Sequence, residues 1–335
     1  MTIDKETKPW YVLDRPMVLG EGPIYRESDH TLHYVDCLHQ PPQLHILSLT
    51  PEGDAVHPST DLAIASTENV NADKPGLRVL NLEDSVTVMF FRKNVPKSYI
   101  CLYYQGLAFL DEETGKLDVI KEIIPTSERH IRRFNDGGVD AKGRMWAAEI
   151  DVYALATGPK NIDPKEHPEL LGRLWCYDPK DSSLKLMETG LACGNGLAWS
   201  PDNKVMYLND SASQKIYSYD FDLDTGAISN KKLFYDARGT SDEPDGMVVD
   251  TEGNLWIAMF GGTNISVINS KGERIRVIEM PARNMACTTW GGPGNHILYS
   301  VSAVDKLHRD PNDQGGHLFR TIVDAEGVAK NEYDG

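Results

Sequence analysis

The chain has 335 residues, of which 40% are hydrophobic and 25% are charged, an ordinary composition for a folded globular protein. Its net charge of −16 at pH 7, with no basic stripe along the chain, excludes a nucleic-acid-binding protein that depends on phosphate contacts. No run approaches the length of a membrane-spanning apolar helix, so we expect no membrane partner.

The amino-terminal stretch "MTIDKETKPWYVLDRP" is polar and lacks the apolar centre of a secretory signal, which indicates a cytoplasmic protein. The five cysteines are sparse, and none lies in a C-x-x-C pair. We therefore expect reduced thiols and no cysteine-based zinc site. Cys193 is expected to be a buried packing residue, because no histidine that would activate it is evident nearby.

One phrase recurs along the chain, made of a glycine, an apolar strand, a tight turn and a second strand. Its first copy is "EGPIYRESDHTLHYVD", and a copy at 86–111 lacks the glycine. The clear later copies are "FNDGGVDAKGRMWAA", "GNGLAWSPDNKVMYL" and "PDGMVVDTEGNLWIA", and a weaker one is "TTWGGPGNHILYSVSA". Two further strands follow most copies, so each unit reads as a four-stranded antiparallel meander.

The spacing of the copies predicts the fold. The leading glycines Gly137, Gly196, Gly246 and Gly291 are 59, 50 and 45 residues apart, which is the period of a propeller blade. We predict an all-β six-bladed β-propeller of four-stranded antiparallel blades, forming a single domain over residues 1–335.

Two further features of the blades are predicted. The aromatic residues of the second strands are expected to pack between blades; they are Trp146, Tyr207 and Trp256. The stretch at about 151–172 lacks strand alternation and is predicted to be an insertion, in which His167 faces solvent.

An oxygen-bearing side chain precedes the glycine in four copies. These residues are Glu21, Asp136, Asn195 and Asp245, with Asn135 one step earlier than Asp136. The inner strands of a propeller surround one channel, so these side chains would point into one small space. Glu21, Asn195 and Asp245 would then form a hard oxygen set suited to a divalent cation. The alternative is that each is only a turn former before glycine.

The chain resembles the SMP-30/gluconolactonase/regucalcin-like family of six-bladed propellers. The resemblance rests on "LGEGPIY", "HYVD", "RRFNDGGVDAKGRMW", "GNGLAWSPDNKVMYLNDS", "DEPDGMVVDTEGNLWIA" and "GGPGNHILYSVSA", and spans Leu19 to about Ala303. It implies that Glu21, Asn195 and Asp245 bind one divalent metal ion. It also implies that Arg133 and Asn135 line the substrate pocket.

The resemblance implies a divalent-metal-dependent lactonase, a carboxylic ester hydrolase that acts on a sugar lactone. Ca²⁺ is the expected ion, with Mg²⁺, Mn²⁺ or Zn²⁺ as alternatives. Asp245 is the candidate catalytic residue. The resemblance also implies that the insertion at about 151–172 is lid-like and covers the substrate. Glu149 and Asp151 depart from the family pattern there; Glu149 is a candidate substrate-binding residue, and both are alternatively a polar strand end.

Two other functions remain open from the sequence. One is a phosphotriesterase-like hydrolase with the same metal site, and the other is a calcium-binding regulator without turnover. Arg133 and Asn135 favour an enzyme, because a calcium buffer needs no residues that clamp a substrate. We expect a monomer or a weak homo-oligomer.

Overall fold

A computed structural model describes residues 1–57, 76–158, 165, 167–307 and 309–335. The strands form six sheets that are the blades of a β-propeller, and helix is almost absent. The innermost strand of each blade contacts that of the next, and the ring closes from the sixth blade to the first. The predicted six-bladed propeller is therefore confirmed.

Each blade uses consecutive strands that pair antiparallel. A first strand, β1 (Thr2–Lys5), precedes the blades. Blades 1 to 3 are formed by β2 (Gly20–Arg26), β3 (Thr31–Asp36), β4 (Gln43–Ser48) and β5 (Leu77–Asn81); β6 (Val86–Phe91), β7 (Ser98–Tyr103), β8 (Gly106–Asp111) and β9 (Leu117–Glu122); and β10 (Arg132–Val139), β11 (Met145–Asp151), β12 (Gly172–Asp178) and β13 (Ser183–Leu191).

Blades 4 to 6 continue this order. They are formed by β14 (Gly194–Trp199), β15 (Val205–Asp210), β16 (Lys215–Asp222) and β17 (Ala227–Asp236); β18 (Glu243–Val249), β19 (Leu255–Phe260), β20 (Asn264–Ile268) and β21 (Arg274–Glu279); and β22 (Asn284–Gly291), β23 (Ile297–Ala303) and β24 (Phe319–Ile322).

The amino-terminal segment completes two blades. β1 pairs parallel with β21 as a fifth strand at the outer edge of blade 5. Tyr11 then forms an antiparallel bridge with Leu318, next to β24 of the three-stranded blade 6. The start of the chain is thus tied to its last two blades, which closes the ring.

The turns between the first two strands anchor the aromatic residues between blades. The carboxylate of Asp250 accepts a hydrogen bond from the Trp256 indole at 2.9 Å, and Asp140 accepts one from Trp146 at 3.0 Å. Trp146, Tyr207 and Trp256 all belong to buried clusters shared by neighbouring blades. Their predicted position between blades is confirmed.

A β-bulge interrupts every innermost strand. A bulged residue has no partner across the ladder, so its side chain can be aimed away from the sheet. The pairing register shifts between Glu21 and Ile24, Val86 and Val88, Phe134 and Gly137, Gly194 and Leu197, Pro244 and Met247, and Met285 and Cys287. The bulges contain the oxygen-bearing residues of blades 3 to 5 and directly follow Glu21 in blade 1.

The prediction that Gly291 is the leading glycine of blade 6 is wrong. Gly291 ends β22 and pairs with Ile297 at the hairpin, whereas the bulge of this strand lies at Ala286. The glycines of the G-G-P-G turn after the strand resemble, in the sequence, the glycine that lies inside the bulge of the other blades.

The predicted insertion begins with a short helix. Helix α1 (Val152–Thr157) is capped by Asp151, whose side chain accepts from the Ala154 N–H at 3.0 Å. Positions 159–164 and 166 of the insertion lie outside the described residues, so the lid stays a prediction. No helix in the described part of the chain is long and apolar enough to cross a membrane.

Candidate metal centre

Three acidic side chains from blades 1, 3 and 5 interact in the central channel. Burial raises the pKa of Glu21 well above its ordinary value, and repulsion from Asp245 and Asp136 raises it further. Burial also raises the pKa of Asp245, with repulsion from Asp136 as the next cause. Because such repulsion falls with distance, the three carboxylates share one region of low dielectric.

Asp136 is the least expected member of this cluster. It is buried, and its Oδ1 accepts from the Gly137 N–H at 2.7 Å. Burial raises its pKa to about 6, against the opposing effects of the Gly137 N–H and the Lys330 charge. Asp136 therefore adds negative charge beside the ligands that the sequence predicts.

Asn195 brings an amide group to the same region. Its Oδ1 accepts from the Gly196 N–H, and its Nδ2 donates to Ser211 Oγ, both at 2.9 Å. Ser211 in turn donates to the Pro244 carbonyl at 2.6 Å. This chain of hydrogen bonds fixes the amide of blade 4 relative to Asp245 of blade 5.

Glycine follows Asn195 because the inner strands of blades 4 and 5 approach closely. A Cβ atom at Gly196 would lie 2.5 Å from the carbonyl oxygen of Asp245, which is closer than any side chain can tolerate. Gly196 therefore allows the inner strands of blades 4 and 5 to approach each other. As a result, Asn195 lies close to Asp245 of the next blade.

The residues fit a hard divalent cation. Asp245 Oδ1 is buried and has no hydrogen-bond partner among the described residues, a costly state for a carboxylate oxygen unless another group binds it. Among the residues that the structure describes, no group of three or more His, Cys, Asp or Glu side chains could hold a metal ion. An ion bound here would therefore need the neutral oxygen of Asn195 together with Glu21 and Asp245.

The predicted substrate residues lie on the inner strand of blade 3. The Arg133 guanidinium packs 4.7 Å from the centre of the Tyr104 ring and is half-buried. Asn135 donates from Nδ2 to the Gly194 carbonyl at 3.0 Å, which leaves its Oδ1 as an acceptor. Both residues stay predicted substrate contacts.

The residues at the start of the insertion make internal contacts. Glu149 is fully buried and accepts from the guanidinium of Arg173 at 2.9 Å and from the Trp175 indole at 2.7 Å. Its predicted contact with substrate stays a prediction. The prediction that His167 faces solvent is wrong, because its Nε2 lies 2.5 Å from Asp151 Oδ2 and its side chain is only 13% exposed.

The cysteines behave as predicted. All five are buried free thiols, and burial raises the pKa of the Cys193 thiol well above its ordinary value. A thiol in that state is a poor nucleophile, so Cys193 is a packing residue beside the candidate site.

Three residues that support the site were not assigned to it from the sequence. Asn209 lies in β15, and Ser211 directly follows this strand. Asn209 donates to the Asp245 carbonyl, and Ser211 donates to the Pro244 carbonyl. Lys330 lies in the tail beyond the last repeat and acts on Glu21 and Asp136 through its charge. An amide and a hydroxyl at the end of a strand were a weak signal for Asn209 and Ser211, and the repeat contained no signal for Lys330.

Comparison with known proteins identifies relatives along most of the chain. The profile of the family described as "SMP-30/Gluconolactonase/LRE-like region" matches residues 19–304. Regucalcin of Xenopus laevis is 27% identical, and the match covers 97% of each chain. The protein described as a putative sugar lactone lactonase, YvrE, of Bacillus subtilis is also 27% identical, with 94% of each chain covered.

A solved structure shares the fold. Regucalcin from Agrobacterium tumefaciens, described as a calcium-binding protein, aligns over 99% of both chains with a TM-score of 0.79 and 22% sequence identity. At this identity the likeness concerns the fold alone.

Proposed function

Because the chain belongs to the SMP-30/Gluconolactonase/LRE-like family, we propose that it is a divalent-metal-dependent hydrolase that opens a sugar-acid lactone. One observation carries this proposal, namely the meeting of Glu21 and Asp245 with the amide of Asn195 in one buried region. Arg133 supports turnover over mere calcium storage, since a guanidinium binds oxygen anions and repels cations.

In the proposed site, Glu21, Asn195 and Asp245 hold the ion, with Ca²⁺ first and Mg²⁺, Mn²⁺ or Zn²⁺ as alternatives. The bound ion would supply a Lewis acid for the ester carbonyl and lower the pKa of a water molecule. Ca²⁺ stays the first candidate because the proposed ligand set contains only oxygen donors, which a hard cation prefers.

Arg133 and Asn135 are proposed to bind and orient the lactone. Arg133 presents several N–H donors, and among the described residues no carboxylate forms an ion pair with it. It would donate to the carbonyl oxygen that gains charge as water adds. Asn135 Oδ1 would accept from a sugar hydroxyl, because its Nδ2 already holds the Gly194 carbonyl.

Asp245 is proposed to move the proton. Burial raises the pKa of Asp245, and its Oδ1 has no donor among the described residues. The carboxylate oxygen of Asp245 that does not hold the ion would take the proton of the water that adds to the lactone carbonyl. It would return that proton to the ring oxygen as the C–O bond breaks, which yields the open hydroxy acid.

The test combines turnover with metal binding. We expect proton release from at least one member of a panel of aldono- and uronolactones, loss of this activity in chelator, and its return with Ca²⁺ or another divalent ion. Asp245→Ala should weaken both calcium affinity and turnover by more than the roughly 10- to 100-fold caused by changes outside a ligand set. Asp202→Ala, at an exposed turn, is the matched control.

The two alternative functions predict different results in the same assay. Turnover of a phosphotriester but of no lactone would identify the phosphotriesterase-like function. Calcium binding without turnover of any substrate would support the regulator. Full activity of Asp245→Ala in chelator would contradict the proposed site.

A further inference from the structure

The carboxyl-terminal tail crosses the channel at the end opposite the candidate metal centre. The Val328 N–H donates to the Val249 carbonyl at 3.0 Å, and Asn331 Nδ2 donates to the Val139 carbonyl at 3.0 Å. Val249 and Val139 end their inner strands, four residues after Asp245 and three residues after Asp136. The tail therefore spans the end of the channel at which these inner strands finish.

Lys330 extends from this tail into the channel. Its Nζ donates to the Pro23 carbonyl at 3.0 Å, within the bulge that follows Glu21, and lies 6.0 Å from the centre of the Phe90 ring. Lys330 and Asp136 line the same cavity of about 110 Å³. The Lys330 ammonium thus lies between the tail and the acidic residues Glu21 and Asp136, and it is held by the Pro23 carbonyl.

The charge of Lys330 acts on the acidic cluster across the channel. Burial raises the pKa of both Glu21 and Asp136, and the Lys330 ammonium opposes this increase at both residues. In a region of low dielectric such an interaction is felt over several ångströms without direct contact. The same field also acts on any cation that binds to these carboxylates.

We infer that Lys330 is a fixed counter-charge that stabilises the acidic cluster when no cation is bound and weakens the binding of a cation at the mouth. The two charges of a divalent ion and the one of Lys330 balance the three acids Glu21, Asp136 and Asp245. This inference rests on the proposed metal site. It makes Lys330 a positioning and affinity-setting residue, since it acts through the ligands and does not touch the substrate.

The test separates charge from packing. Lys330→Gln removes the charge and keeps an N–H donor, whereas Lys330→Arg keeps the charge. Asn331→Ala is the matched control, because it removes a hydrogen bond of the same tail to an inner strand without changing the charge. Calcium affinity is measured by titration calorimetry, and the melting temperature is measured in chelator and in calcium.

We expect Lys330→Gln to raise the calcium affinity and to lower the melting temperature in chelator. Lys330→Gln should bind calcium roughly 3- to 30-fold more tightly, the size expected for one charge at several ångströms in a partly buried site. Its melting temperature in chelator should fall by about 2–4 °C, and calcium should raise it more than it raises that of the wild type. Lys330→Arg and Asn331→Ala should keep the wild-type affinity.

Two results would overturn the inference. If the wild type binds calcium and Lys330→Gln binds it equally or more weakly, the counter-charge is wrong while the proposed metal site stands. If the wild type binds no divalent cation, the proposed function fails and the inference fails with it.

Discussion

Two arginines contact the ring of Tyr104, and they differ in their acidic partners. The guanidinium of Arg133 lies 4.7 Å from the ring centre and that of Arg129 lies 5.2 Å from it. Arg129 also forms an ion pair with Asp84 at 2.9 Å, so its charge is already compensated. Among the described residues Arg133 forms no ion pair, and its charge is therefore the one available to a substrate.

This difference predicts the outcome of a matched pair of variants. Arg133→Met should lower kcat/KM for the lactone by roughly 100-fold, the usual loss when one donor to a developing oxyanion is removed. In Arg129→Met, kcat/KM should stay within about threefold of the wild-type value, since the charge of Arg129 is already paired with Asp84. Steady-state kinetics measure both, and wild-type kcat/KM in Arg133→Met would exclude it from the site.

Single residues of the site were predictable where they repeat with the fold. Glu21, Asn195 and Asp245 stand before a glycine in three copies of one phrase, and a fold repeat alone requires only the glycine. Ser211 and Asn209 were not predicted because their partners are backbone carbonyls of the next blade. A pattern within one blade carries no information about such partners.

At the scale of elements, blades 1 and 2 share a buried polar contact. His33 of β3 is fully buried, with Nε2 2.7 Å from Thr31 Oγ1 and Nδ1 2.8 Å from the Tyr99 hydroxyl of β7. Burial lowers the pKa of His33 to about 3, and the nearby Arg26 charge also lowers it. The ring is therefore neutral in the folded protein.

This contact predicts a loss of stability in acid. Below about pH 6.5 the unfolded chain binds a proton at His33, while the folded protein does so only near pH 3, so the free energy of unfolding falls by about 1.4 kcal/mol per pH unit in this window. Urea unfolding between pH 4 and 7 should show a shallower fall in His33→Gln than in the wild type.

The control for this experiment is His57→Gln, at an exposed ring, which should keep the wild-type pH dependence. An unchanged slope in His33→Gln would show that His33 does not bind a proton on unfolding. The interface between blades 5 and 6 contains an aromatic contact instead, between Trp256 and Trp290 with ring centres 5.2 Å apart.

Strand pairs were the elements that the sequence predicted best, because alternation and D-x-x-G turns are local signals. The bulges were not predicted. A bulge depends on how closely the neighbouring inner strand approaches, as Gly196 does toward Asp245. In blade 6 the residue at the bulge is Ala286, so the search for a glycine led to Gly291 instead.

At the scale of the whole molecule, the two chain ends serve different purposes. The amino-terminal segment ties blades 5 and 6 through β1 and Tyr11, and the carboxyl-terminal tail spans the lower end of the channel. The number of blades followed from the repeat period. The paths of the two ends did not, since neither belongs to the repeat and "TIDK" shows no apolar alternation.

Anomalous diffraction from a crystal soaked in Mn²⁺ tests most directly whether separate blades build one cation site. We expect one strong peak in the channel, about 2.0–2.6 Å from the carboxylates of Glu21 and Asp245 and the amide oxygen of Asn195, the range of hard divalent ions. A channel without a peak, or a peak held by other residues, would contradict the site on which the proposed function depends.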